Sequence, residues 1–380
     1  MKLIPRVYDN LEKLLRKNKV IVLYGPRRVG KTTLIKNYLS NTEFKYRFYS
    51  GDELTVREVL TSESIDQIKN FASGVGLIVI DEAQRIPNVG LGLKLMVDHI
   101  PGIRVLISGS ASLALSYKIG EPLLGRKFEY TLYPVSHLEL NKQESKFDLD
   151  RFKAKYLIYG SYPEIISAEN NSEKEQILRE IINSHLFKDI LEIEKVKRSN
   201  ILINLLRLIA FQVGNEVSLT ELGNNLGLNS RTVGRYLNLF EQAFIIYNLR
   251  GYARNLRKEI TKKSKYYFLD NGIRNAVIEN FSSLDKRNDL GQLWENFLIM
   301  ERLKKQEYAK IGSRYNNYFW RTWDGNEVDL VEMREGKLFG YEIKWGKDKS
   351  SKSKKVWLET YPDEAEFAVV NKENYLDFVS

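Results

Sequence analysis

A turn rich in glycine and basic residues near the start of the chain has the residue types needed to bind a phosphate group. The run from Gly25 to Thr32 has the form G-x-x-x-x-G-K-[ST], in which inward-facing backbone amides surround phosphate oxygens. Lys31 would reach the β- and γ-phosphates of a nucleotide, and the Thr32 hydroxyl would be a ligand of Mg²⁺. The expected nucleotide-binding residues are Gly25, Pro26, Arg27, Arg28, Val29, Gly30, Lys31, Thr32 and Thr33.

Two acidic residues, Asp81 and Glu82, follow the aliphatic run 77–80. Such carboxylates emerge at the C-terminal edge of a parallel sheet, where open α/β folds bind their ligands. Asp81 would complete the Mg²⁺ shell with Thr32, and Glu82 would be the general base that polarises the attacking water. Because no N/T-K-x-D motif for reading guanine is evident, we expect ATP and Mg²⁺ as the cofactors.

Two other residues could act on the terminal phosphate. The strand expected at 104–107 ends in a Ser/Gly turn, where Ser110, or Ser108 as the second candidate, could contact the γ-phosphate or the water. Arg126 follows Gly125 on a loop and could act as an arginine finger on the nucleotide of a neighbouring subunit in a homo-oligomer. A surface arginine at the start of a strand is the equal alternative.

The elements that must position these residues follow from the hydrophobic pattern. An apolar run at 20–24 predicts a buried parallel strand leading into the glycine turn, and 32–39 has the spacing of a helix. The alternation of strands and helices over residues 1–145 predicts an α/β P-loop domain with a parallel sheet. A helical segment at 146–205, interrupted at 160–164, has the pattern of a small lid or linker.

Residues 206–275 have the pattern of a winged helix-turn-helix. Two capped helices surround a glycine-containing turn, and the two strands after them would form the wing. Arg231 and Arg235 lie four residues apart on one face of the second helix, where recognition helices present phosphate or base contacts. Lys262 and Lys263 lie between the wing strands. DNA is therefore the expected partner, with docking of a protein as the alternative.

A second group of residues that could form a catalytic site lies in the segment 285–380. Asp329 on one expected strand and the pair Glu342 and Lys344 on the next would share a sheet face, with Glu295 added from a helix. The three carboxylates could bind Mg²⁺ or Mn²⁺, and the lysine could orient or deprotonate a water. A nuclease-like fold used for binding and an ordinary solvated strand are the alternatives. We expect the basic run that follows, 344–355, to be a loop.

The composition limits the class of protein. The 380 residues carry a formal charge of +10, which favours an acidic partner, nucleic acid before an anionic membrane. The absence of cysteine excludes disulfides, zinc–thiolate sites and thiol catalysis. No segment approaches about 18 uninterrupted apolar residues, and the first residues lack the apolar core of a signal peptide. We therefore expect a cytoplasmic protein without membrane spans.

Taken together, these residues resemble a family of archaeal and bacterial AAA+ ATPases that join an ATPase core to a winged helix and a PD-(D/E)xK nuclease-like domain. The resemblance covers nearly the whole chain, although Val328 stands where the nuclease pattern has proline. It implies ATP binding and hydrolysis coupled to a conformational change, and it supplies no substrate. The motifs that carry it are Gly25–Thr32, Ile80–Gln84, Ser108–Ser110, Leu124–Arg126, Tyr133–Pro134, Gly160–Glu164, Leu269–Gly272, Trp294–Asn296, Glu327–Asp329 and Glu342–Lys344.

The predicted architecture has four parts: an AAA+-like P-loop core (1–145), a helical lid or linker (146–205), a winged helix (206–275) and an α/β restriction-nuclease-like domain (285–380). We predict a Mg²⁺-dependent ATPase whose C-terminal half binds DNA. Two alternatives stay open at this point. One is an ATP-regulated, metal-dependent DNA nuclease, and the other is a low-turnover nucleotide switch that docks a protein partner through the winged helix.

Overall fold

The computed structural model describes residues 4–110, 120–186, 199–253, 264–312, 314–346 and 352–380. The chain forms two compact units. The N-terminal unit comprises Pro5–Tyr133 with the short segment Gln242–Phe244, and the C-terminal unit comprises Pro134–Glu241 and Ile245–Ser380. The predicted lid, winged-helix and nuclease-like segments thus fall almost entirely in the C-terminal unit, and their division into separate domains stays a prediction.

The N-terminal unit contains a parallel sheet of five strands in the order β2-β3-β4-β1-β5. The α/β fold with a parallel sheet is therefore confirmed. Its strands are β1 (Lys19–Tyr24), β2 (Tyr46–Ser50), β3 (Leu77–Asp81), β4 (Arg104–Gly109) and β5 (Lys127–Thr131). Its helices are α1 (Lys31–Leu39), α2 (Leu54–Thr61), α3 (Ile65–Phe71) and α4 (Val89–His99), with single 3-10 turns at Leu11–Lys13 and Ala83–Arg85.

The central strands of this sheet explain why their sequences are continuously apolar. Every residue of β3 is buried, and β1 and β4 are buried beyond their first residue. A strand that is buried on both faces needs apolar side chains at every position, so its sequence does not alternate between apolar and polar residues. Parallel pairing brings the C-terminal ends of β1, β3 and β4 to one edge of the sheet. That edge carries the start of the glycine turn, the acidic pair and the Ser/Gly turn.

The C-terminal unit begins with helices. They are α5 (His137–Leu140), α6 (Lys146–Tyr159), α7 (Pro163–Ser167), α8 (Asn171–Glu180), α9 (Ser199–Phe211), α10 (Leu219–Leu226), α11 (Ser230–Gln242), α12 (Asn271–Val277), α13 (Leu290–Ala309), α14 (Lys352–Thr360) and α15 (Tyr375–Val379). Short turns of other helix types lie at Ile181–Leu186, Leu284–Lys286 and Arg314–Asn316. Within the described ranges, none of the helices combines the length and the apolar character needed to cross a bilayer.

A mixed sheet of seven strands, in the order β12-β11-β10-β9-β7-β8-β6, runs through the C-terminal unit. Strands β7 and β8 pair antiparallel, as predicted for a wing, and β7 also pairs parallel with β9. The wing strands and the strands of the nuclease-like segment therefore belong to one sheet. The strands are β6 (Glu216–Val217), β7 (Ile246–Gly251), β8 (Ser264–Phe268), β9 (Asn317–Arg321), β10 (Glu327–Arg334), β11 (Lys337–Ile343) and β12 (Ala365–Val370).

Motif segments that lie far apart in the sequence meet in a buried hydrogen-bond network of the C-terminal unit. Asp270, just before α12, accepts the backbone N–H of Ser161 at 2.7 Å. Asn296 on α13 donates from its side chain to Asn271 Oδ1 at 2.7 Å. A Cβ on Gly160, which has a φ of +74°, would collide with the Asp270 carboxylate, so the chain needs glycine there. These polar contacts give the three segments a structural role that is independent of catalysis.

One predicted loop is in part a helix. The basic run 344–355 was expected to be a loop, but its last four residues begin α14, while 347–351 lie outside the described residues. The cause is tertiary packing, because Trp357 of α14 is fully buried and packs edge-on against Trp320 with ring centres 5.2 Å apart. Burial of this large side chain outweighs the loop preference of the Lys- and Ser-rich sequence before it.

Candidate functional site

The glycine turn after β1 leads directly into α1, as predicted. Gly30 caps this helix with a φ of +92°, and Lys31 is its first residue. Gly25 has a φ of +152°, and a Cβ there would collide with the carbonyl oxygen of Leu132. Both positions therefore need glycine. The first N–H groups of α1 have no partners within the helix, and they make its N-terminus favourable for an anion such as phosphate.

Lys31 is held inside this turn and is only 6% exposed. Its Nζ donates hydrogen bonds to the carbonyl oxygens of Gly25 at 2.8 Å and Pro26 at 2.7 Å. The ammonium group thus lies at the start of α1, where a phosphate would lie. A phosphate oxygen is a stronger acceptor for an ammonium than a neutral carbonyl, so the side chain can exchange one partner for the other.

Thr32 and Asp81 are joined by a hydrogen bond from Thr32 Oγ1 to Asp81 Oδ2 at 2.6 Å. Asp81 Oδ1 accepts hydrogen bonds from the hydroxyl of Ser108 and from the backbone N–H of Glu82. The carboxylate is therefore fixed at the end of β3 and is almost buried. A hydroxyl and a carboxylate in contact are hard oxygen ligands of the kind that Mg²⁺ takes alongside phosphate and water. These residues fit a Mg²⁺ site.

Glu82 lies on a sharp turn after β3, with its backbone in the left-handed region at a φ of +53°. Gln84 donates hydrogen bonds from Nε2 to Glu82 Oε2 and to Ser110 Oγ, the latter at 3.1 Å. A left-handed residue other than glycine costs on the order of 1–3 kcal/mol and is typical of functional sites. Gln84, which sequence analysis did not single out as a site residue, thus links the predicted general base to the predicted sensor.

Arg6 is a second residue that sequence analysis missed. It is 7% exposed, and its Nη1 donates to the carbonyl oxygen of Val29 in the glycine turn at 2.6 Å. The interaction joins residues 23 positions apart, so no local sequence pattern predicts it. The guanidinium thus supports the turn through one of its carbonyl groups.

Arg126 immediately precedes β5 and forms an ion pair within its own chain. Its Nε donates to Asp98 Oδ1 at 2.7 Å, and 36% of the arginine side chain is exposed. The hydrogen bond from Arg126 lowers the pKa of the Asp98 carboxyl. Surface ion pairs of this kind are weak, about 0–1 kcal/mol, so Arg126 could leave Asp98 for another partner. Its role toward a neighbouring subunit stays a prediction.

The predicted recognition helix is α11 in the C-terminal unit. Arg231 and Arg235 are both exposed on it, while Val233, Leu237 and Phe240 are buried on its other side. The structure therefore leaves both arginines on one outer face of the helix. Lys262 and Lys263 lie outside the described residues.

Two of the predicted second-site carboxylates lie near each other in the C-terminal unit. Glu295 on α13 accepts the hydroxyl hydrogen of Tyr267 at 2.7 Å, and Asp329 on β10 accepts the backbone N–H of Ile343 at 2.7 Å. Burial raises the pKa of Glu295, and the negative charge of Asp329 raises it further. Burial also raises the pKa of Asp329. Both carboxyls are thus desolvated and mutually repelling.

The third predicted ligand, Glu342, pairs through Oε1 with the ammonium of Lys344 at 2.9 Å, while its buried Oε2 has no hydrogen-bond partner among the described residues. Within the part of the chain that the structure describes, no three Asp, Glu or His side chains are placed to hold a metal ion. The set Glu295, Asp329 and Glu342 is therefore not assembled as the metal site that the sequence suggested. A buried cation, the ammonium of Lys265, lies 3.8 Å from Glu295.

Three family models match successive parts of the chain. Residues 17–141 match an AAA domain. Residues 152–284 and 290–378 match two domains of unknown function, DUF8612 and DUF4143. The AAA match includes the glycine turn and the acidic pair, and it supports a nucleotide-binding ATPase of the prokaryotic AAA type.

Proteins of similar sequence cover most of this chain. An uncharacterized protein of Mycobacterium tuberculosis is 27% identical over 337 residues, which are 88% of this chain and 72% of the relative. One from Haemophilus influenzae is 24% identical over 85% of this chain and 81% of its own. One from Methanocaldococcus jannaschii is 25% identical over 86% of this chain and 75% of its own. The similarity to these bacterial and archaeal proteins extends over both units.

A solved structure from Pyrococcus horikoshii gives a more distant match. It is a signal transduction ATPase with numerous domains and a tetratricopeptide repeat sensor. The match has 13% identity and a TM-score of 0.31, and it covers 82% of this chain but only 48% of the other. This chain thus spans about half the length of that protein, and a score this low does not establish a common fold.

Proposed function

We propose that this protein is a Mg²⁺-dependent ATPase whose C-terminal unit binds DNA. The observation that carries the ATPase assignment is the hydrogen bond of 2.6 Å from Thr32 Oγ1, in the first turn of α1, to Asp81 Oδ2. This contact supports the assignment because Thr32 and Asp81 are the two expected metal ligands, and Lys31, next to Thr32 in the sequence, is buried in the glycine turn. The match of residues 17–141 to an AAA domain supports the same assignment.

Each side chain has a role in the proposed hydrolysis. The N–H groups at the start of α1 and the Lys31 ammonium bind the β- and γ-phosphates, while Thr32 and Asp81 hold the metal. Bound Mg²⁺ would neutralise charge on the phosphate oxygens. Glu82 accepts a proton from the water that attacks the γ-phosphorus. Gln84 donates a hydrogen bond to the Glu82 carboxylate and holds it at this edge of the sheet. The same amide group donates to Ser110.

DNA binding is proposed from charge and exposure. The chain carries a formal charge of +10, and a net positive charge attracts the phosphate backbone without regard to sequence. Arg231 and Arg235 lie on the outer face of α11, in the position where a recognition helix faces the major groove. A protein that docks on the same face is the competing possibility, and the experiment below separates the two.

The test is ATP turnover by the purified full chain with Mg²⁺, measured with and without duplex DNA. We expect turnover that DNA stimulates. Lys31→Ala should abolish nucleotide binding, whereas Glu82→Gln should bind ATP normally and fail to hydrolyse it. Lys127→Gln, which removes a partly buried lysine that pairs with Glu129 on β5, serves as the matched control. Turnover of Glu82→Gln at the normal rate would contradict the general-base assignment, and turnover indifferent to DNA would favour a protein partner.

A further inference from the structure

The nuclease-like segment contains an acid cluster, defined here as Glu295, Glu327 and Asp329. Glu295 comes from α13, and the other two come from β10. The pairing of β10 with β9 shifts register between Val328 and Val331, which interrupts the ladder at Asp329. Bulges of this kind re-aim side chains and are common beside active sites. In a nuclease built on this arrangement, a divalent cation would lie among the carboxylates.

Lys265 of β8 lies against this cluster. Its ammonium donates a hydrogen bond to Glu327, and its Nζ lies 3.8 Å from Glu295 Oε1. The charge of Asp329 also acts on it. On another side, the Nζ lies 5.2 Å from the centre of the Phe319 ring, a cation–π distance. Lys265 is only 1% exposed, so its surroundings are supplied by the protein itself.

The charge state of this lysine follows from its neighbours. Burial lowers the pKa of Lys265, but the nearby charges of Glu295, Glu327 and Asp329 outweigh burial and raise its pKa above the ordinary value. Lys265 is therefore an ammonium ion at neutral pH. A buried ammonium is tolerated only where carboxylates compensate it, and buried carboxylates equally need a cation.

The cluster is also closed by backbone. Gly214 has a φ of +77°, and a Cβ built on it would lie 3.0 Å from both carboxylate oxygens of Glu295. Tyr267 donates its hydroxyl hydrogen to the same carboxylate, which uses a further lone pair. The Glu295 carboxylate thus faces groups of this chain.

We infer that Lys265 is the resident cation of the acid cluster and occupies the place where a nuclease of this arrangement holds its metal. The C-terminal unit then binds its partner without metal-dependent cleavage. The expectation of a nuclease metal site does not fit these residues, because a fixed ammonium already lies among the carboxylates that a divalent ion would need. The inference concerns the C-terminal unit alone and does not depend on ATP hydrolysis.

The first experiment measures Mn²⁺ binding to the full chain by electron paramagnetic resonance. Asp81→Asn serves as the starting variant, because it removes a metal ligand of the proposed ATPase site. We expect no stoichiometric Mn²⁺ binding, and we expect no change when Asp329→Asn is added. Stoichiometric binding that disappears with Asp329→Asn would overturn the inference.

The second experiment removes the internal cation. In Lys265→Gln, Mn²⁺ should raise the Tm by several degrees, whereas the Tm of the wild type should not respond. Adding Asp329→Asn to Lys265→Gln should abolish the response. The matched control is Lys146→Gln, which removes an exposed ammonium that lies 2.7 Å from Asp377 and should create no dependence on Mn²⁺. A folded Lys265→Gln protein that ignores Mn²⁺ would refute the inference; if that variant does not fold, the binding experiment decides.

Discussion

Arg6 and Tyr133, at the two ends of the N-terminal unit's main segment, are in direct contact. Arg6 Nη2 donates a hydrogen bond to the carbonyl oxygen of Tyr133 at 2.6 Å, across 127 positions of sequence. The other terminal nitrogen of the same guanidinium binds the Val29 carbonyl. One side chain therefore ties the glycine turn to the end of the segment, and the shape of the proposed phosphate site depends on it.

Arg6→Lys should loosen the glycine turn. A lysine has no planar fork, so it cannot reach both carbonyl oxygens in this geometry, and at least one buried acceptor loses its partner. We expect a loss of about 1–3 kcal/mol in the free energy of unfolding, together with weaker ATP binding. Urea unfolding and titration with a fluorescent ATP analogue measure the two effects. Lys17→Arg, at an exposed lysine of the same unit, should leave both values unchanged.

Gln84→Leu should separate hydrolysis from binding. The leucine fills a similar volume but cannot donate to Glu82 or Ser110, so the predicted general base loses its orientation. We expect kcat to fall about 10- to 100-fold, less than the full contribution of a general base, with little change in ATP affinity. Steady-state turnover and equilibrium binding give the two numbers. An equal loss of affinity would show instead that Gln84 supports the fold of the site.

Arg231→Ala and Arg235→Ala should weaken DNA binding through lost phosphate contacts. Each phosphate contact that is removed should reduce the slope of log K against log salt by about one. Fluorescence anisotropy with a labelled duplex at several salt concentrations measures this slope. Arg179→Ala removes a half-exposed arginine from α8 and is the matched control. An unchanged slope in the double variant would place the DNA-binding surface elsewhere.

Asp289 should make the stability of the C-terminal unit sensitive to acid. Burial raises its pKa, but hydrogen bonds and charges from Arg287 and Arg274 outweigh burial and lower the pKa from 3.8 to about 2. The stabilisation is therefore complete above pH 4 and is lost as the pH falls from 4 toward 2. Asp289→Asn should be less stable at neutral pH and should lose less stability over that acid range. Urea unfolding at several pH values measures both effects.

The proposed ATPase site could largely be predicted from the sequence because its signals are local. A phosphate-binding turn consists of adjacent residues, and the two acids of Asp81 and Glu82 directly follow a buried strand. Parallel strands then bring these short segments together without further information. Gln84 is two residues from Glu82, but its role depends on rotamers and on Ser110, 26 positions away.

The inferred role of Lys265 at the second site could not be predicted from the sequence, because this residue is distant in sequence from its carboxylate partners. Lys265 is separated by 30 positions or more from Glu295 and Glu327, and it lies on a strand that was assigned to the wing. Periodicity places acids on a sheet face, but it does not reveal which cation a neighbouring strand contributes. A lysine directly before the aromatic run Tyr266–Phe268 was the available signal, since lysine is almost never buried without a partner.

The pairing of β7 with β9 limits how this chain can be shortened for experiments. A cut between residues 275 and 285 would leave β9 without Arg250 and Gly251, the residues opposite Tyr318 and Phe319. Each fragment would then carry an unprotected strand edge, and such edges promote aggregation. The same cut would also separate Lys265 from the carboxylates that it contacts. A C-terminal fragment made this way would contain the acid cluster without its lysine, and its metal binding would not represent that of the intact protein.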